Sequence, residues 1–135
     1  MATQKYQGSC HCGKVKIEAE LDLQAGAGKC NCSICAKTRA WSMMIKPSAF
    51  RLIAGKDALS DYQFGSNSMH HYFCKHCGVR PYGNGNLEML GGEFYTVNVA
   101  CLDGVNPTAL ADMPVRYSDG MNNNWQASPA ETRHL

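Results

Sequence analysis

Apolar and polar positions alternate in short stretches along this chain, and no stretch runs long. Residues 15–21 (VKIEAEL), 41–47 (WSMMIKP), 50–55 (FRLIAG), 70–74 (HHYFC) and 94–102 (FYTVNVACL) are rich in β-branched and aromatic residues and bounded by Gly, Pro, Asn or Ser. Such segments predict strands. In residues 94–100, the period of two places Tyr95, Val97 and Val99 on one face and Phe94, Thr96 and Asn98 on the other. Helical signals are weak. Residues 33–40 (SICAKTRA) predict one short helix capped by Ser33, and residues 106–113 (NPTALADM) a second turn started at Pro107. From Ser118 the chain is polar and rich in Asn, and Trp125 is the one large apolar anchor expected there. The pattern predicts a mainly β fold.

Composition narrows the class. The 135 residues suit a single domain spanning residues 1–135, with one core and 44% hydrophobic residues. Thirteen basic against eleven acidic residues leave a formal charge of +2. With no Lys/Arg run, this argues against a nucleic-acid partner. No apolar run approaches the ~18 residues of a membrane span, so no membrane partner is expected. The opening MATQKYQGSC lacks the apolar core of a secretory leader, which points to the cytoplasm. Thiols stay reduced there, so the eight cysteines are expected to serve metal rather than disulfides.

Seven of the eight fall into three clusters: Cys10-His-Cys12, Cys30-Asn-Cys32-Ser-Ile-Cys35 and Cys74-Lys-His-Cys77. Thiolates at such spacing converge on one ion, and zinc takes four of them in a tetrahedron. The first and third clusters together complete a four-sulfur structural site. Gly13 and Gly78, following Cys12 and Cys77, fit knuckle turns that need positive φ. The shared ion would close a long loop and staple a small β domain. Cys30, Cys32 and Cys35 remain with three ligands. Structural zinc sites are closed, whereas catalytic ones keep a position open. Two zinc ions per chain are expected, the second in a catalytic role. A sulfur-rich zinc favours another soft ligand, above all a substrate thiolate. The middle cluster could instead be closed by Cys101, His11, His70, His71 or His76, or could form a disulfide on oxidation.

The remaining candidates are individually weak. His11 and His76 sit between ligands, where side chains usually reach solvent. His70 and His71 are adjacent on a strand and must face opposite sides. Cys101 reads as a small buried hydrophobe. Lys37, Arg39 and Arg80 flank the clusters and could meet ligand carboxylates, although surface cations of this kind are commonly just solvated.

The stretches GSCHCGKVKIE, CNCSIC, YFCKHCGVRPYG and FYTVNVACLDG, spanning residues 8–104, resemble the glutathione-dependent formaldehyde-activating enzyme family, which includes the centromere protein V domain. The resemblance implies a small β-tent of stacked short antiparallel sheets stapled by zinc knuckles. It implies a structural zinc on Cys10, Cys12, Cys74 and Cys77, and a catalytic zinc on Cys30, Cys32 and Cys35. The implied activity joins glutathione and formaldehyde into S-hydroxymethylglutathione, a carbon–sulfur lyase reaction in reverse. PVRYSDGMNNNW looks like the family's closing strand and Trp. Asn31 stands where the family often carries His, and is not expected to be a ligand. The proton carrier stays open among His70, His71, Tyr82 and Tyr95. Two other readings remain open: a non-catalytic zinc-stabilised binding module, and a methionine sulfoxide reductase-like redox enzyme with Cys101 as nucleophile.

Overall fold

The computed structural model describes residues 3–135. Its elements in chain order are β1 (Gln4–Ser9), β2 (Lys16–Leu21), β3 (Ala27–Cys30), α1 (Ser33–Thr38), β4 (Ser42–Ile45), β5 (Phe50–Ala54), β6 (Leu59–Tyr62), β7 (Met69–Cys74), β8 (Tyr82–Leu87), β9 (Gly92–Asn98), α2 (Pro107–Ala111) and β10 (Val115–Ser118). The fold is mainly β, as expected. Three strands form one sheet in the order β1-β2-β5, and seven form a second in the order β10-β3-β4-β9-β8-β7-β6. Every neighbouring pair is antiparallel except β3 and β10, which run parallel. The expectation of antiparallel sheets therefore needs this one correction. A parallel partner requires a long crossover, and here most of the chain lies between the two strands.

The alternation along β2 is what the core uses. Ile17, Ala19 and Leu21 are buried against Val97, Val99, Phe50, Tyr82 and Met43. Each large apolar side chain buried this way contributes roughly 1.5–3 kcal/mol. On β9, Val97 is fully buried, and so is Val99 just past its end, while Tyr95 stacks on Phe50 at 4.2 Å between ring centroids. The opposite face of β9 is not given to solvent, since Phe94 is buried there over Gly85 of β8. A smaller apolar cluster of Val15, Ala58, Cys10 and Cys74 lies under the first and third cysteine clusters.

Both predicted helices exist, with one change of cap. Cys32, not Ser33, occupies the cap position of α1 and makes no capping hydrogen bond through its side chain. The helix stops at Arg39, which takes a left-handed conformation (φ 54°) and donates its amide to the Cys35 carbonyl. Asn106 caps α2 by accepting from the Thr108 amide. Trp125 is half exposed and does not enter the core, a correction to its expected role as an anchor. No described helix is long and apolar enough to cross a membrane.

Candidate metal centre

The ends of β1 and β7 deliver the first and third cysteine clusters to one point. Cys12 and Cys74, 62 positions apart in sequence, bring their sulfurs to 3.7 Å, and Cys10 Sγ lies 3.7 Å from Cys12 Sγ. A tetrahedron with zinc–sulfur bonds of about 2.3 Å has edges of about 3.8 Å, so this sulfur set fits such an ion. All four ligand atoms fall within 4.8 Å of one another. The two knuckles are built alike. Gly13 donates to the Cys10 carbonyl at 3.2 Å and Gly78 to the Cys74 carbonyl at 2.7 Å. Both glycines have positive φ, 79° and 78°, as their place in the sequence predicted. Backbone amides also face the sulfurs: Val15 N–H donates to Cys10 Sγ at 3.3 Å and His76 N–H to Cys74 Sγ at 3.4 Å. Such donors stabilise thiolate over thiol. The Val79 amide, and after it the Cys12 amide, lower the Cys77 thiol to about 6.

The second cluster forms where β3 turns into α1. Cys30, Cys32 and Cys35 place their sulfurs within 4.8 Å of one another. Among the described residues, no fourth Cys, His, Asp or Glu joins them. The Cys32 amide donates to Cys30 Sγ at 3.2 Å. Hydrogen bonds from the Cys30 and Cys35 thiols hold the Cys32 thiolate down to about 2, and contacts with Cys30 and Cys32 push Cys35 up. All eight cysteines are free, and sulfurs at 3.7 Å are much too far apart for a disulfide bond of about 2.05 Å.

A strap formed by the chain after β10 covers one side of this second cluster. Asn31, between Cys30 and Cys32, is buried and holds the strap from both ends of its amide. Its Nδ2 donates to Asp119 Oδ1 at 2.9 Å, and its Oδ1 accepts from the Met121 amide at 2.9 Å. Gly120 sits between Cys30 and the Trp125 ring: a Cβ there would lie 2.8 Å from Cys30 Sγ and 2.6 Å from the ring carbon Cη2. Trp125 is fixed in turn by its Nε1–H donating to Asn123 Oδ1 at 2.8 Å. The Asn-rich tail is thus a wall of the site. Its composition carried no direct sign of this, although Asx turns are what Asp and Asn favour.

On another side of α1 opens a cleft of about 650 Å³. Ile34 and Lys37 of α1, Tyr62 of β6 and Phe73 of β7 line it, together with Phe64 and Arg80. The Arg80 guanidinium connects the cleft to the cysteines. Burial lowers its pKa, and the charges of Cys35 and Cys32 oppose that shift. Its Nε is buried without a partner. Neither Arg80 nor Lys37 forms an ion pair among the described residues.

The order and convergence of these thiols decide the family. The model of the family described as glutathione-dependent formaldehyde-activating enzyme matches residues 5–118. The chain belongs to that family. The crystal structure of a Rhodobacter sphaeroides protein, a structural-genomics target, is similar to it at 39% identity. That match covers 82% of this chain and 99% of the other, with a TM-score of 0.68.

Within this formaldehyde-activating-family fold, the remaining candidates separate. His70 and His71 face opposite sides, as the strand period requires. His70 pairs with Asp61 at 2.6 Å, while His71 is buried and its Nδ1–H donates to the Tyr62 carbonyl at 2.8 Å. That bond leaves His71 Nε2 as the acceptor, and His71 lines the cleft whereas His70 does not. Tyr82 and Tyr95 belong to an aromatic cluster with Phe50 and Tyr72, and burial raises both phenols. His11 and His76 are exposed, as expected. Of the three candidate cations, Lys37 and Arg80 line the cleft and Arg39 does not. Cys101 is buried, its thiol pushed up to about 11 by burial and then by Asp103. Its sulfur lies 3.6 Å from the Arg80 carbonyl, which Asn98 Nδ2 also contacts at 2.9 Å. Cys101 therefore helps to hold the backbone of Arg80 and stands outside both thiol clusters.

Proposed function

We propose that this single-domain protein is a zinc enzyme of carbon–sulfur lyase type. It would join glutathione and formaldehyde into S-hydroxymethylglutathione and catalyse the reverse reaction. The observation that carries this reading is the three-sulfur cluster with no fourth Cys, His, Asp or Glu among the described residues, beside a cleft holding two cations that form no ion pair among those residues. Cys10, Cys12, Cys74 and Cys77 would hold a structural zinc, and Cys30, Cys32 and Cys35 a catalytic one. A zinc ion there would supply a fourth position that favours a thiolate and lowers the pKa of an incoming thiol.

The chain's own groups do the rest. Lys37 and Arg80 bind the two carboxylates of glutathione and aim its sulfur at the mouth of the second cluster. Holding both reactants in one complex removes much of the entropic cost of their encounter. His71 Nε2, its tautomer set by the bond to the Tyr62 carbonyl, accepts the proton that leaves the thiol and returns it to the carbonyl oxygen. The strap over Cys30 excludes water from one side. The reducing cytoplasm is the setting in which eight thiols of this kind persist.

The test pairs metal analysis with exchange kinetics. Zinc per chain is measured in the parent and in Cys32→Ala, alongside the NMR exchange rate between free and adducted glutathione in formaldehyde. Two ions with accelerated exchange in the parent, and one ion with no acceleration in the variant, support the assignment. Unchanged zinc in Cys32→Ala, or exchange no faster than without protein, overturns it.

A further inference from the structure

The cleft beside α1 is richer than a one-carbon aldehyde requires. Glutathione is polar along its length and would be served by Lys37 and Arg80. Formaldehyde adds a single carbon to it. Yet the outer wall is aromatic and partly solvent-facing: Tyr62 is 51% exposed and Phe64 43% exposed. These rings form an ordered stack, with Tyr62 to Phe64 at 5.7 Å and Phe64 to His71 at 5.5 Å between centroids. His71 is tied to the Tyr62 backbone, so the stack is anchored to β7. Asp61 also lines the cleft, but its carboxylate is engaged by His70 Nδ1 at 2.6 Å, so an aromatic surface beside two cations without ion pairs among the described residues is complementary to an anion with a flat apolar part.

We propose that the carbonyl substrate is larger than formaldehyde: an aldehyde bearing a flat apolar group, handled as its glutathione hemithioacetal. The proposal rests on the reading that the second thiol cluster acts on glutathione adducts. The carboxylates of the adduct meet Lys37 and Arg80, and the apolar group lies on Phe64 and Tyr62. The reaction needs no oxidant or reductant. The thiol S–H adds across the C=O bond, a sulfur–carbon bond forms, and the thiol proton ends on the former carbonyl oxygen.

Two stable thioethers that cannot exchange, S-methylglutathione and S-benzylglutathione, test this by calorimetry on the zinc-loaded full chain. S-Benzylglutathione is expected to bind about tenfold more tightly or better, since an aromatic ring buried on another contributes more than its area alone. In Phe64→Ala that ratio falls toward one. In Lys37→Gln both compounds weaken and the ratio stays. Equal affinities in the parent, a ratio untouched by Phe64→Ala, or no binding of either compound by a protein that accelerates glutathione–formaldehyde exchange, overturns the proposal. The underlying lyase reading fails by a separate sign, the loss of that exchange activity itself, so the two failures are distinguishable.

Discussion

Asn31 and Asp119 lie 88 positions apart in sequence and meet at 2.9 Å, side chain to side chain, next to Cys30 and Cys32. This contact fastens the C-terminal strap to the loop that carries the second thiol cluster. Asn31→Ala removes both amide contacts, leaves the part-buried Met121 N–H without its acceptor and opens a gap where the buried Asn31 side chain sat. A cost on the order of 2 kcal/mol is expected, with a fall of several degrees in Tm. Trp125 emission, read in a Trp41→Phe background, should shift to the red. An unchanged spectrum would show that Asn31 does not hold the strap.

The same tie has an expected pH dependence. The amide of Asn122, and after it that of Asn31, lowers the Asp119 carboxyl below its usual range. A depressed acid stabilises the closed strap fully above roughly pH 4 and loses that contribution as pH falls through the folded-state value. Trp125 emission in the wild type should therefore titrate below pH 4, and Asp119→Asn should lack that step. Acid loss of metal acts on both proteins alike, so the difference between them reports Asp119.

Gly120→Ala would force a methyl group between Cys30 Sγ and the Trp125 ring. Overpacking of this kind costs about 1–3 kcal/mol, and here the strain falls on a sulfur of the second cluster. Zinc per chain is expected to drop toward one while the first cluster keeps its ion. Two tightly held ions in the variant would mean that the strap yields freely.

The two clusters are expected to differ in what they stabilise. Cys74→Ala removes a fully buried sulfur that joins β7 to the N-terminal knuckle, and should cost most of the protein's folding stability. Cys32→Ala should leave the far-ultraviolet spectrum intact. Chemical denaturation of both variants distinguishes these outcomes, and equal destabilisation would contradict the division into structural and catalytic sites.

Cys101→Ser tests the redox alternative. A buried thiol pushed up to about 11 is a poor nucleophile at neutral pH. The variant is expected to change stability by no more than about 1 kcal/mol, since its hydroxyl meets the Arg80 carbonyl that the thiol contacts, with glutathione–formaldehyde exchange unchanged and no methionine sulfoxide reduction in the parent. Reduction that depends on Cys101 would reverse the reading.

Local chemistry decided what the sequence could tell about this protein. Cysteine spacing sets which sulfurs can share an ion, and a glycine one residue beyond a knuckle reports a positive φ, so Gly13 and Gly78 were legible from position alone. The alternation in β2 marked its buried face because a strand has a period of two. Long-range packing decided the rest. β8 (YGNGNL) carries glycines that weaken any strand signal, yet a Cβ at Gly85 would collide with Met69 and Phe94 from the flanking strands. The absent side chain there is a packing requirement set by residues elsewhere. β3 and β10 are four-residue strands that pair only because distant segments meet. Asn31, adjacent to two cysteines, revealed its partner only once the tail folded back across β3. The cleft joins α1 to β6 and β7, segments that no local pattern connects. The members of each thiol cluster were therefore written into short-range spacing, while the meeting of Cys10 and Cys12 with Cys74 and Cys77, the wall, the strap and the substrate cleft arose from contacts across the whole chain.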